Sequence, residues 1–242
     1  MSYDAKMRFI GTQFYRHPNP PFEDWPRDLA LIRESGLKVV RTWLYWLRTN
    51  PSDGQWDFSD YDRFVDAAEE HGLQAFIQLV PECAPQWFIH GNRDAQLVNV
   101  NNRQEIPRPV GMAMVGGYPA LSPDVPIVRE RIAEFITRTV ERYHKRKHLI
   151  AVDVWNEMMP YYLFPTQTYH PATQEKYRRW LQDRYGDINA LNDAFGGARY
   201  TSFDQLAAIP WGDYVDERHW HLFIRQWITD QLAWRVGLVK AV

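Results

Sequence analysis

The sequence predicts an α/β fold of the (βα)8-barrel type, of which the first four βα units are present, with a helical insertion after the fourth strand. Three observations carry this expectation. Four segments are near-continuous apolar runs, RFIGTQF, LKVVRTW, LQAFIQLV and LIAVDVW. Amphipathic helices join them, which is the pattern of a parallel sheet covered by helices. No GxGxxG or GxxxxGK[ST] occurs, which weakens the doubly wound nucleotide-binding alternative. Residues with chemical potential crowd the loops after the strands instead, as the top face of a barrel requires.

The elements follow in order. The first strand is expected over residues 8–14, then a Pro-rich loop and a helix over 24–34 with Pro26 in its first turn. Trp25, Leu29 and Ile32 share one face of that helix, and Gly36 stops it. Residues 37–43 form the second strand. Ser59 is placed to cap the next helix, whose inner face is Tyr61, Phe64, Val65 and Ala68. Residues 73–80 form the third strand. After a long loop, Asp124 and Pro126 open a helix whose stripe is Val128, Ile132, Phe135, Ile136, Val140 and Tyr143. Residues 149–155 form the fourth strand. The remainder reads as helical over 172–185, 188–195 and from about residue 216 onward, with the insertion spanning about 158–215. A complete barrel has eight strands in ~250 residues. The 242 residues are therefore read as one partial barrel domain, 1–242.

Composition narrows the function. At 45% hydrophobic and 24% charged residues, the chain can bury a core. With 28 Lys+Arg against 30 Asp+Glu, the net charge of −2 argues against nucleic acid or an anionic membrane as partner. A single cysteine, Cys83, excludes an internal disulfide framework. The N-terminus has no apolar signal core and no run approaches a membrane span, so a cytoplasmic location is expected. Aromatic residues are abundant, with 11 Trp, 13 Tyr and 12 Phe.

The sharpest local signal is VDVWNE at the end of the fourth strand, which puts Glu157 where a barrel presents catalytic groups. Glycosidic cleavage needs a carboxylic acid to protonate the leaving oxygen and, in retaining enzymes, a second carboxylate about 5 Å away. An ordinary Asn-Glu helix cap is the competing reading. Glu82 is the best second carboxylate in the chain, or else a local hydrogen-bonding residue. Tyr15, Trp46, Trp87 and Trp155 stand on strand ends or loops and offer flat faces for a sugar platform. Asp153 reads as a buried structural acid paired with a neighbouring strand. Trp56, Trp180, Trp220 and Trp227 are assigned to packing. His144 and His148, near a helix C-terminus, and His219 and His221 are read as surface residues, so no metal site is expected. No GxSxG occurs, which argues against a serine hydrolase.

Over essentially its whole length the chain resembles the catalytic domain of glycoside hydrolase family 42, β-galactosidases of clan A. The carrying stretches are VVRTWLYW, PSDGQWDFSDYDRFVDAAEEHGL, VPECAPQWF, VDVWNE and YRRWLQDRYGDINALNDAFG. The resemblance implies Glu157 as acid/base, Asn156 at the sugar 2-hydroxyl, and Arg41, at the end of the second strand, supporting the nucleophile. It also implies that the nucleophile follows a seventh strand, outside this chain. Several positions depart from the family. Tyr15-Arg16-His17-Pro18 replaces a Pro-Glu pair, Asn50 replaces a glutamate, and Gly111 to Gly117 replaces a basic segment. Tyr169-His170-Pro171 stands near the place of a zinc-binding cysteine cluster. The expected function is retaining, β-galactosidase-like hydrolysis of a carbohydrate substrate without cofactor. The chain is expected to be a homo-oligomer or to require its C-terminal half. The alternative is a catalytically incomplete carbohydrate-binding or assembly fragment. A barrel acting on a phosphorylated metabolite is disfavoured, because such barrels grip phosphate after strands seven and eight.

Overall fold

The computed structural model describes residues 10–15, 17–99, 121–156, 169–196, 199–208 and 214–242. Arg16, the segment from Gly111 to Gly117, and Glu157 lie outside them. Four parallel strands, β1 (Gly11–Gln13), β2 (Val39–Tyr45), β3 (Gln74–Val80) and β4 (Leu149–Asp153), form one sheet in the order β1-β2-β3-β4. Each strand therefore lies beside its predecessor, the arrangement of successive barrel units. Helices α1 (Trp25–Glu34), α3 (Ser59–Glu70) and α5 (Pro126–Tyr143) form the crossovers, and the short α2 (Trp46–Thr49) and α4 (Gln86–Gly91) follow β2 and β3. Beyond β4 come α6 (Pro171–Tyr185), α7 (Ile188–Phe195) and α8 (Tyr214–Lys240).

Alternation along each strand sends successive side chains to opposite faces. On one face Val40, Leu44, Ala75, Ile77 and Leu79 are fully buried against Leu29, Phe64, Val65, Phe135 and Ile136 of the crossover helices. Gly11 has a steric reason: a Cβ there would sit 2.5 Å from the Val39 carbonyl oxygen, so only glycine lets β1 lie against β2.

Three local expectations are corrected. Ser59 is the first residue of α3 rather than its cap; Asp57 accepts from the Ser59 N–H at 2.9 Å, and these hydrogen bonds hold its carboxyl below the usual carboxylate range. α5 opens at Pro126, as expected, but Asp124 stays outside it. Its buried carboxylate accepts from Thr173 and Lys176 of α6, both at 2.6 Å, and from the Trp227 indole of α8 at 2.9 Å. One acid thus ties the start of α5 to the helical layer behind it. β4 stops at Asp153 rather than Trp155, because the Asp153 Oδ1 accepts from the Trp155 N–H at 3.1 Å and turns the chain out of the ladder.

A second core lies among the later helices. Tyr177, Leu181, Leu191, Phe195 and Leu206 close around Trp220, Phe223, Ile224 and Trp227 of α8. The far end of α8 packs Trp234, Leu238 and Val239 on the barrel core instead. The two α6 and α7 ends are set by their sequence. His170 Nδ1 accepts from the Ala172 N–H, Asp187 accepts from Asn189 and Ala190, and Gly196 ends α7 at φ 69°.

Candidate active site

The inner face of the sheet carries the side chains that the helices do not cover. Strand register sets them in rows: Gln13 beside Arg41 beside Phe76 beside Ala151, then Trp43 beside Gln78 beside Asp153. Tyr15, just past β1, meets Trp43 edge-on at 5.9 Å between ring centroids. A hollow of about 720 Å³ opens over the first row, lined by Thr12, Gln13, Arg41, Phe76 and Ala151.

Arg41 organises this face. It lies in the third position of β2, not at its end, because pairing with β3 continues through Tyr45 and Val80. Its Nη1 donates to Gln13 Oε1 at 3.1 Å and its Nη2 to Asp153 Oδ2 at 3.2 Å. The guanidinium carbon lies 5.5 Å from the Phe76 ring centroid and 5.9 Å from that of Trp43. Asp153 therefore reaches over β3 to β2 and is half-exposed, rather than buried against its neighbour. Two acceptors and two rings fix the guanidinium, leaving further donors for a carboxylate or hydroxyl.

Beside this pair sit groups whose hydrogen bonds are unmade. Gln78 is fully buried, yet neither its Oε1 nor its Nε2 has a partner among the described residues. The Trp43 Nε1 and Gln13 Nε2 are likewise buried and unpartnered. Each such group costs roughly 1–3 kcal/mol of folding free energy.

Asn156 lies half-buried in the turn three residues beyond β4. The remaining expected site residues are distributed differently from their sequence assignment. Trp46 and Trp155 are 1% and 5% exposed, so neither presents a face to a ligand. Trp46 stacks into the barrel core against Phe88 and Phe135 and donates to Asn50 Oδ1. Trp155 belongs to the second core, edge-on to Trp227 at 6.3 Å. Glu82 lines a small cavity of about 20 Å³ behind the sheet with Val128, Ile132 and Trp227, where Arg235 of α8 holds it in an ion pair at 2.6 Å. It is a structural carboxylate on the helix side. Trp87 is part-buried, its indole donating to the Asn50 carbonyl at 2.9 Å. Asn50 thereby anchors both tryptophans and also bridges Ser52 and Gln55.

Arg235 escaped sequence reasoning. It is 2% exposed, lies 4.1 Å over the Trp155 ring, and donates to the Val154 carbonyl at 3.2 Å. Only its long side chain on the buried stripe of α8 could have hinted at this. His219 is buried, not surface, and sits between Tyr185 and the Val215 carbonyl, whereas His221 is exposed beside Glu217. His170 spends both ring nitrogens on backbone, Nδ1 on Ala172 and Nε2 on the Asp94 carbonyl. Among the described residues no group of three His, Cys, Asp or Glu is arranged to hold a metal.

The family model for glycoside hydrolase family 42, described as beta-galactosidase, matches residues 14–213. A curated β-galactosidase from Halorubrum lacusprofundi is 30% identical over 194 residues, covering 77% of this chain and 26% of its own length. One from Thermus thermophilus is 29% identical over 203 residues, covering 81% of this chain and 30% of its own length. The solved cold-adapted β-galactosidase of Rahnella sp. R3 superposes with a TM-score of 0.80 at 20% identity, over 96% of this chain and 33% of that one. The chain thus spans between a quarter and a third of the length of the relatives it matches.

Proposed function

From the premise that the chain belongs to glycoside hydrolase family 42, we propose that it forms the acid/base half of a retaining β-galactosidase site. The observation that carries this reading is the position of Asn156, three residues beyond β4, whose terminal Asp153 meets Arg41, with Glu157 next to it in sequence. Glu157 as a neutral acid gives its proton to the glycosidic oxygen while a nucleophilic carboxylate attacks the anomeric carbon. As a carboxylate it then takes a proton from the water that releases the sugar. Asn156 hydrogen-bonds the 2-hydroxyl, a contact that strengthens in the oxocarbenium-like transition state. Arg41 supports the nucleophile, which residues beyond these 242 supply. Tyr15 and Trp87 remain available as apolar surface for the sugar.

A second reading, carbohydrate binding without turnover by these 242 residues alone, has its own support. Among the described residues of the four strands, Asp153 is the one carboxylate on the inner face, and Arg41 holds it. Replacing Glu157 by Gln in the protein with a complete barrel separates the two. Turnover of unactivated galactosides is expected to vanish, while aryl galactosides with good leaving groups keep part of their glycosylation rate. Unchanged kinetics on both substrates removes Glu157 from the mechanism. Assaying the 242-residue chain alone on an aryl galactoside is expected to give no turnover, and measurable turnover would require a nucleophile within it.

A further inference from the structure

Of all the polar groups on the sheet, Gln78 is the hardest to explain by folding. It interrupts the apolar run of β3, is fully closed off from solvent, and has neither amide atom bonded among the described residues. The Trp43 indole N–H beside it, its register partner on β2, is also buried and unbonded. A Leu or Met would fill the same position at lower cost, so the amide has a use other than packing.

The kind of atoms left unmatched defines the occupant. Gln78 Oε1 needs a donor, whereas Gln78 Nε2, Trp43 Nε1 and Gln13 Nε2 need acceptors. A carboxylate or a fully ionised phosphate ester brings no proton for Oε1. A cation cannot accept from three N–H groups. Hydroxyl groups do both, since each donates once and accepts twice. The aromatic faces of Phe76 and Tyr15 flank the same rows and match the C–H surface of a sugar ring.

We propose that Gln78 is a specificity-determining residue for a polyhydroxylated sugar: its amide grips neighbouring hydroxyls of the glycone, Nε2 donating to one and Oε1 accepting from the next, with the Trp43 indole N–H donating alongside. The assignment deepens the galactosidase reading and rests on it for the identity of the sugar. Such an amide distinguishes sugars by the direction of one hydroxyl, because an epimer takes one of the two hydroxyls away and leaves that amide atom unmatched again.

The test uses the 242-residue chain, D-galactose and its epimer D-glucose as probes, and the variants Gln78→Met and Trp43→Phe. Binding is followed by calorimetry and by tryptophan emission, and stability by thermal unfolding. Galactose affinity is expected to fall at least tenfold in Gln78→Met and several-fold in Trp43→Phe, while the Tm of Gln78→Met stays level or rises. A group kept for a ligand weakens binding when removed but does not weaken the fold. Should Gln78→Met be poorly folded, Trp43→Phe alone decides, since it keeps an aromatic ring and removes only the N–H.

Unchanged galactose binding with a raised Tm would mean that the amide merely holds water, and the proposal falls while the galactosidase reading stands. A wild-type chain that binds no sugar also overturns it. Preference for glucose, lost in Gln78→Met, would keep the role of Gln78 and overturn the galactoside assignment instead.

Discussion

On the helix side of the sheet, Val40, Leu44, Ala75, Ile77 and Leu79 meet apolar side chains from three crossover helices, and among the described residues the Thr42 hydroxyl is the one polar side-chain atom of β2 and β3 left without a partner there. On the inner side, one residue away along the same strands, Arg41, Trp43, Gln78 and Asp153 form a layer that is charged, aromatic and incompletely bonded. The backbone is common to both faces, so the contrast is chemical. One face is built for stability and the other keeps unsatisfied groups that detract from it, the trade-off expected where a site is prepared for a ligand.

The largest effect that sharpens this contrast comes from truncating the helix side. Leu79→Ala leaves a cavity at a fully buried position and is expected to destabilise by about 2–5 kcal/mol, measured by urea unfolding. A loss below about 1 kcal/mol would show that the helix side is no better packed than the inner one. Thr42→Val removes the orphaned hydroxyl at nearly constant shape, so stability should rise by roughly 1–3 kcal/mol with sugar binding unchanged. A drop in stability would reveal a partner for that hydroxyl and erase the analogy with Gln78. The smallest effect belongs to Arg41→Gln. Its ion pair with Asp153 is more than a quarter exposed on both sides, so the fold should lose no more than about 1 kcal/mol in the same unfolding measurement. A greater loss would make Arg41 a structural residue first.

Much of the fold was legible because the signals that specify it are local. The apolar runs mark β1 to β4, the periodic stripes mark α3 and α5, and Gly196 ends α7 as a C-terminal glycine should. The family was legible for the same reason, since contiguous stretches such as VVRTWLYW and VDVWNE carry the resemblance that the family match bears out. Trp46, Trp155 and Glu82 were not, because their surroundings come from distant segments: Phe135 meets Trp46, and Trp227 and Arg235 of α8 enclose Trp155 and Glu82. A tryptophan at a strand end looks the same in sequence whether a helix some seventy residues later covers it or not. Gln78 did leave a trace, as an amide amid FIQLV, yet reading it required the register that puts it beside Trp43 and Asp153.

Helix α8 has a consequence for how the molecule comes apart. Its 27 residues make a rod about 40 Å long. Trp220 to Trp227 are seated in one core, and Trp234 to Val239 against the other. Between them, Gln231 donates to Asp124, and its Oε1 accepts from Arg129. Neither core can release this rod without exposing aromatic surface belonging to both. Heat should therefore melt them in a single step, and a protease should find no cut that frees the insertion as a separate folded piece.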